Sequence, residues 1–351
     1  MKVNSGKIIE ESGKTCVSYA FHFPLFVLFL LALLAGCKHN NEQRQPPLSA
    51  VDYTQVEVAP FSADSALAFV KGQLAFGNRI PGTPAWQRCG DWIAARMRQW
   101  CDTVVVQRFN ATLWDGKSVP GTNIIASLRP QAAQRVILAA HWDSRSWADH
   151  DPATDRQHQP VPGANDGASG AALLMEMART MSQMPPKVGV DFIFFDVEDQ
   201  GAPEWSEVYD ADTWCKGSQH WSRNPHVPFY RAVYGILFDM VGTLSPRFTK
   251  EHVSMYYAPG LTNKLWNAAA ALGYGSIFVN QETDDILDDH YYVNRLAGIP
   301  MTDIVQNSGN ISFFEHWHTT TDDLNAVSPE SLRTVATVAM KVIYADYPRN
   351  K

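Results

Sequence analysis

The chain is poor in cysteine, in surplus positive charge and in long apolar runs. Five cysteines occur in 351 residues. None forms a C-x-x-C pair, so no disulfide framework or thiolate metal finger is visible. Lys and Arg number 29 against 36 Asp and Glu, a net −7; this excludes the basic face of a general nucleic-acid binder. The apolar run at 24–36 has 13 residues, short of the ~18–20 that span a bilayer. There is no G-x-S-x-G elbow, no H-E-x-x-H helix, no phosphate loop and no internal repeat, which removes the common serine-hydrolase, zincin and nucleotide-binding readings. What remains is 45% hydrophobic, too apolar for a disordered chain, with 11 Trp available for cores and pocket walls.

The N-terminus reads as an address. Residues 24–36 (PLFVLFLLALLAG) fit a signal-peptide apolar region, with Lys2, Lys7 and Lys14 upstream as its positive segment. Leu34-Ala35-Gly36-Cys37 resembles the lipobox of bacterial lipoproteins. That resemblance implies cleavage before Cys37, lipidation of its thiol, and an exported protein anchored to a membrane, periplasmic or outer-membrane. Residues 1–36 are then a signal peptide and 37–50, polar and Pro-containing, a flexible tether. Residues 51–351 are left as one large folded domain. Cys89 and Cys101 lie on one predicted helix, 12 residues and ~18 Å apart at 1.5 Å per residue, too far to pair with each other.

Periodicity within that domain alternates. Helices are expected at 62–76, 83–100, 167–184, 261–272, 291–297 and 329–347. Strands are expected at 103–109, 123–128, 135–142, 188–197, 232–240, 277–279 and 301–305. The run at 188–197 (VGVDFIFFDV) is almost unbroken, as in a strand buried on both faces. This is the pattern of an α/β layered fold with a largely parallel sheet and helices on both sides. The polar stretch 144–163 has no apolar period, and loops of that length are commonly functional.

Ligands in such folds sit at the carboxyl ends of the strands. Several acids and histidines fall there: His141 closes one strand, Glu198-Asp199 another and Asp239 a third. Asp166 lies in a Gly-rich turn before a helix, Asp288-Asp289-His290 in a loop, and His318 just after the last strand. Taken singly, each is more commonly a cap or a satisfied structural residue. Together they would repel one another without a cation, and Asp, Glu and His make an ordinary zinc set.

From about residue 60 onward the chain resembles the zinc aminopeptidase superfamily of peptidase family M28, and most of all its glutaminyl-peptide cyclotransferase branch. The resemblance is carried by HWDS at 141–144, GANDGASG at 163–170, FFDVED at 194–199, FDMVG at 238–242, DDH at 288–290 and WHTTTDD at 317–323. It implies a three-layer α/β/α fold with a mixed central sheet. It also implies one catalytic zinc on Asp166, Asp199 and His318, with Glu198 as general acid/base and Asp239 and Asp288 hydrogen-bonded around it. Trp205, Trp317 and Phe313 would wall the substrate pocket. The substrate would be the N-terminal glutamine of a peptide or protein, cyclised to pyroglutamate with loss of ammonia. The family usually carries Glu-Glu where this chain has Glu198-Asp199; the shorter carboxylate can bind zinc with a changed reach.

Two alternatives remain open at this level. A di-zinc M28 aminopeptidase would use Asp166 as a bridge and hold its second ion on His141 and Asp239. A surface lipoprotein that keeps the fold only for binding would not need the intact ligand set.

Overall fold

The computed structural model describes residues 51–309 and 312–348. The expected signal peptide, Cys37 and the tether lie outside the described residues. No helix among those described is long and apolar enough to cross a membrane.

Two capped helices open the domain. α1 (Ala63–Leu74) begins where the Ser62 hydroxyl accepts the Ser65 amide. α2 (Pro84–Met97) begins at Thr83, with Pro84 in the first turn where its missing N–H costs nothing. A hairpin follows, β1 (Thr103–Thr112) and β2 (Ser118–Leu128), then β3 (Arg135–His141), α3 (Ala168–Gln183), β4 (Gly189–Phe195), α4 (Lys216–Arg223) and β5 (Tyr234–Asp239). The chain continues through β6 (Phe248–Glu251), α5 (His252–Tyr257), α6 (Pro259–Ala271), β7 (Phe278–Thr283), α7 (Asp289–Tyr292), β8 (Met301–Val305) and α8 (Pro329–Asp346).

Six strands form one sheet in the order β1-β2-β4-β3-β5-β8. β4, β3, β5 and β8 run parallel, and the β1–β2 hairpin adds to one edge antiparallel. The sheet is therefore mixed and its parallel part carries the site. Alternation fixes both layers. Val136, Leu138 and Ala140 of β3, with Val190, Phe192 and Phe194 of β4, enter the large core under α1, α3 and α8. Ile137, Ala139, Ile193 and Phe195 point the other way, onto Trp221 of α4 and Val293. A Cβ at Gly170 would run into the Phe238 carbonyl, so the glycine lets α3 lie directly on β5.

The expected strands and helices are present, with ends shifted by a few residues. Three short elements went unforeseen: α4, β6 and α5. α4 (KGSQHWSR) is polar along most of its length, and β6 pairs with β7 in a separate two-stranded ribbon. The helix expected at 291–297 starts earlier, at Asp289, and turns π-helical over Val293–Ala297. Cys89, Cys101 and Cys215 are free and buried.

Candidate active site

Register aligns the carboxyl ends of the parallel strands: His141 lies opposite Phe195, and Asp239 opposite Val305. The residues that follow emerge at one edge. Asp166 reaches it from the turn before α3, where Gly163 (φ +64°) and Gly167 (φ +73°) adopt the left-handed region open to glycine. That turn is held from two sides. The buried Arg79 guanidinium donates to the carbonyls of Trp142 (3.0 Å), Pro162 (2.7 Å) and Gly163 (2.5 Å). The Asp322 carboxylate accepts the amides of Asn165 (2.8 Å) and Asp166 (3.0 Å).

The ligand-type atoms then converge. His318 Nε2 stands 3.1 Å from Asp199 Oδ1 and 3.7 Å from Asp166 Oδ2. His141 Nε2 stands 3.0 Å from Asp166 Oδ1 and 3.1 Å from Asp239 Oδ1. Asp166, Asp199 and His318 offer atoms all within 4.8 Å of one another, as do His141, Asp166 and Asp239. Asp166 is common to both sets. Asp199 Oδ2 is buried without a hydrogen-bond partner, a position a carboxylate oxygen rarely occupies unless a cation takes it up. The residues present thus suit a zinc ion, two carboxylates and an imidazole being an ordinary donor set for it.

Glu198 lies beside this set. Its amide and that of Asp199 donate to the buried Asp143 carboxylate at 3.1 and 3.3 Å, which fixes the strand end. The Cys215 thiol donates to Glu198 Oε1 at 3.1 Å, and Asp288 offers an oxygen within 4.8 Å of both. Burial lifts the Glu198 carboxyl well above its usual range; His141 opposes the rise, and the charges of Asp288, Asp199 and Asp289 add to it. Burial also raises Asp288, and it pushes Asp239 up to about 7 against the pull of His141. Asp166 goes the other way: His141, His318 and Arg145 hold it below its ordinary value despite burial.

Two of the three expected aromatics are here. Trp317 stacks on His318 with ring centres 3.9 Å apart, and Phe313 packs on Trp317 at 4.7 Å. Trp205 is placed differently. It is 43% exposed and touches Trp147 and His158 rather than His318. The second indole against His318 is Trp214, nearly parallel at 10° and 6.0 Å. The Trp surplus hinted at such a residue without locating it. Asp143, Arg145 and Asp149 were also missed as individuals, although all lie in or beside the long polar loop.

Fold and site together define a class: an α/β metalloenzyme of the zinc exopeptidase type, its donors at the ends of parallel strands. The pattern of peptidase family M28 matches residues 123–343, and the chain belongs to this family, in its glutaminyl cyclase branch. The crystal structure of Bacteroides thetaiotaomicron glutaminyl cyclase bound to N-acetylhistamine is 42% identical, with a TM-score of 0.81 over 82% of this chain and 99% of that one. A Zn-dependent exopeptidase from Parabacteroides distasonis is as similar, at 42% identity and TM-score 0.81 over 84% of this chain and 100% of that one. Among curated relatives, the glutaminyl-peptide cyclotransferase of Gloydius blomhoffii is 26% identical over 58% of this chain. The chain spans 59% of that protein's length and 45% of the Bacillus subtilis aminopeptidase YwaD, which is 25% identical.

Proposed function

We propose that the protein is a glutaminyl-peptide cyclotransferase, converting the N-terminal glutamine of peptides and proteins to pyroglutamate with release of ammonia. The observation that carries this is Glu198: a buried carboxyl raised well above its usual range, between Asp288 and the zinc-type ligand Asp199. Such a group can both take and return a proton. Asp166, Asp199 and His318 would hold one zinc. When bound, it supplies Lewis acidity toward the γ-carboxamide oxygen.

The remaining chemistry belongs to the chain. The α-amine attacks the carboxamide carbon, Cδ, of its own residue, so proximity supplies much of the barrier reduction. A C–N bond forms, the bond to the amide nitrogen breaks, and no redox partner is needed. Glu198 takes the proton the attacking amine loses and delivers one to the departing ammonia. Asp239 and Asp288 act behind it, both buried and raised, keeping a shared proton in the cluster. Trp317 and Phe313, with Trp214, give the glutamine side chain apolar walls that keep water out.

The di-zinc aminopeptidase reading is favoured by one observation: the set of His141, Asp166 and Asp239 is intact. The one-zinc reading uses the same atoms differently, His141 Nε2 and Asp239 Oδ1 hydrogen-bonding to each other at 3.1 Å. A two-substrate assay with a zinc count tests the choice. Cyclisation of a Gln-peptide by protein with one zinc per chain is expected. Rapid leucine release from Leu-anilide without pyroglutamate, at two tightly bound zincs, would overturn it. We propose further that the protein is exported and anchored through lipid on Cys37. Cys37→Ser should move it from the membrane to the soluble fraction, and unchanged membrane association would refute the anchor.

A further inference from the structure

Arg145 and Asp149 form a buried ion pair, 1% and 6% exposed, beside the zinc-type ligands. Arg145 Nε and Nη2 donate to the two Asp149 oxygens at 2.7 and 2.5 Å, a bidentate fork. Its remaining nitrogen, Nη1, donates to the Asp199 carbonyl at 3.1 Å and lies 3.4 Å from Asp199 Oδ1. On the other side, Asp149 Oδ1 lies 3.4 Å from His318 Nδ1. One guanidinium–carboxylate unit therefore touches two of the three ligands, one from each partner.

The same segment braces His318 through its backbone. His318 has φ +53°, a left-handed conformation unfavourable for a residue with a Cβ. The His150 amide donates to its carbonyl at 3.2 Å. Asp151 accepts the Thr320 amide at 3.0 Å and the Thr320 hydroxyl at 2.6 Å. Trp214 links the two halves: it lies 4.6 Å from the Arg145 guanidinium and stacks on His318.

As a stability device this pair is a poor choice, because burying two charges costs about what their attraction returns. Its placement is what distinguishes it. The pair is neutral overall, so it aims Asp199 and His318 without changing the net charge offered to a cation. Asp199 is a short side chain with little reach of its own toward a cation. Arg145 holds that residue from both its carbonyl and its carboxylate, while Oδ2 stays unpartnered. Lysine could not do this, since its single ammonium lacks the planar fork.

We infer that Arg145 and Asp149 are positioning residues for the metal, fixing Asp199 and His318 in their ligating orientation. The inference rests on reading Asp166, Asp199 and His318 as the zinc ligands. Its test is zinc affinity, measured on the full folded chain by competition with a chromophoric chelator, for Arg145→Lys and the near-isosteric Asp149→Asn. Outer-shell partners of this kind typically contribute 10–100-fold, so each variant should bind zinc weaker by about that factor. Thermal melting of the metal-free variants should stay cooperative, and their cobalt-substituted absorption spectra should change. Folded variants that bind zinc within about twofold of the parent would overturn the inference, being far below the expected effect. So would loss of the metal-free fold in both variants, which would make the pair a structural prop. His318→Ala separates the two levels. Full zinc retention in that variant would remove the ligand assignment itself, whatever Arg145 does.

Discussion

Glu198→Gln is the sharpest test of the chemistry, because the structure isolates what it changes. The amide has nearly the volume of the carboxyl and still offers an oxygen to the Cys215 thiol, which now donates to Oε1 at 3.1 Å. The backbone is pinned independently by the Asp143 contacts at 3.1 and 3.3 Å. Asp199, next in the chain, keeps its own contacts to His318 at 3.1 Å and to Arg145 at 3.4 Å. Zinc should therefore stay bound at parental stoichiometry. The variant cannot exchange a proton between the amine and the leaving ammonia, and that function is worth roughly 10²–10⁴ in rate. At 1.36 kcal/mol per tenfold, the barrier rises by about 2.7–5.4 kcal/mol. The fall should appear in kcat more than in KM, since Glu198 acts on the reacting nitrogens rather than on the peptide beyond them. Melting temperature should hold or rise, because the amide has no charge to bury beside Asp288, Asp199 and Asp289. The assay is ammonia release from a Gln-peptide by zinc-replete protein, with metal content measured on the same sample. A zinc-loaded variant within about threefold of the parent would refute the assignment, since acid–base catalysis is worth far more.

Other consequences follow from the same contacts. Asp288→Asn removes a charge that helps raise Glu198; the base then ionises more readily, and the acidic limb of the kcat/KM profile should move to lower pH, whereas an upward shift would contradict the proposed coupling. Gly167→Ala places a Cβ 2.7 Å from the Asp143 carbonyl and 2.8 Å from His141 Cε1 at φ +73°. Left-handed strain and overpacking together should cost roughly 2–5 kcal/mol, read by urea unfolding of the metal-free protein; unchanged stability would mean the turn relaxes freely. Burial pushes the thiols of Cys89 and Cys101 up to about 12 and raises Cys215 well above its ordinary value. None of the three should react with iodoacetamide at mildly alkaline pH until denaturant is added, and labelling of the native protein would contradict their burial.

The layered fold was legible because its signals are local. The run at 188–197 reads as a doubly buried strand from composition alone, and β4 is buried at every position. Ser62 and Thr83 open the helices expected at 62–76 and 83–100, and the structure realises both as side-chain caps. The two edge strands are also written locally, but their pairing as a hairpin and its antiparallel addition to the sheet are not, since nothing in β2 specifies β4 as its neighbour. α4 escaped for a related reason. Its start at Cys215 (φ +54°) has no side-chain cap, and few of its residues are apolar. Its helix follows from docking on β2 and α7 rather than from propensity.

The donors were readable for the reason the strands were. His141 and Asp239 end β3 and β5, Glu198 and Asp199 come shortly after β4, and parallel register carries them all to one edge. Their supports were not, because each contact joins distant stretches of chain: Arg79 to Gly163 across 84 residues, Asp322 to Asp166 across 156, Arg145 to Asp199 across 54. A strand end announces an acid, but nothing local announces the guanidinium that will aim it. The aromatic wall shows the same limit. Trp205 and Trp214 are nine positions apart on one irregular segment, and only the packed loop turns Trp214 onto His318 while Trp205 goes outward to Trp147. The choice between one zinc and two has the same character. The donor inventory permits both, since Asp166 faces His141 and His318 alike. What separates them is whether His141 and Asp239 keep the hydrogen bond they make here at 3.1 Å or give those atoms to a second ion, and the identity of no single residue records that choice.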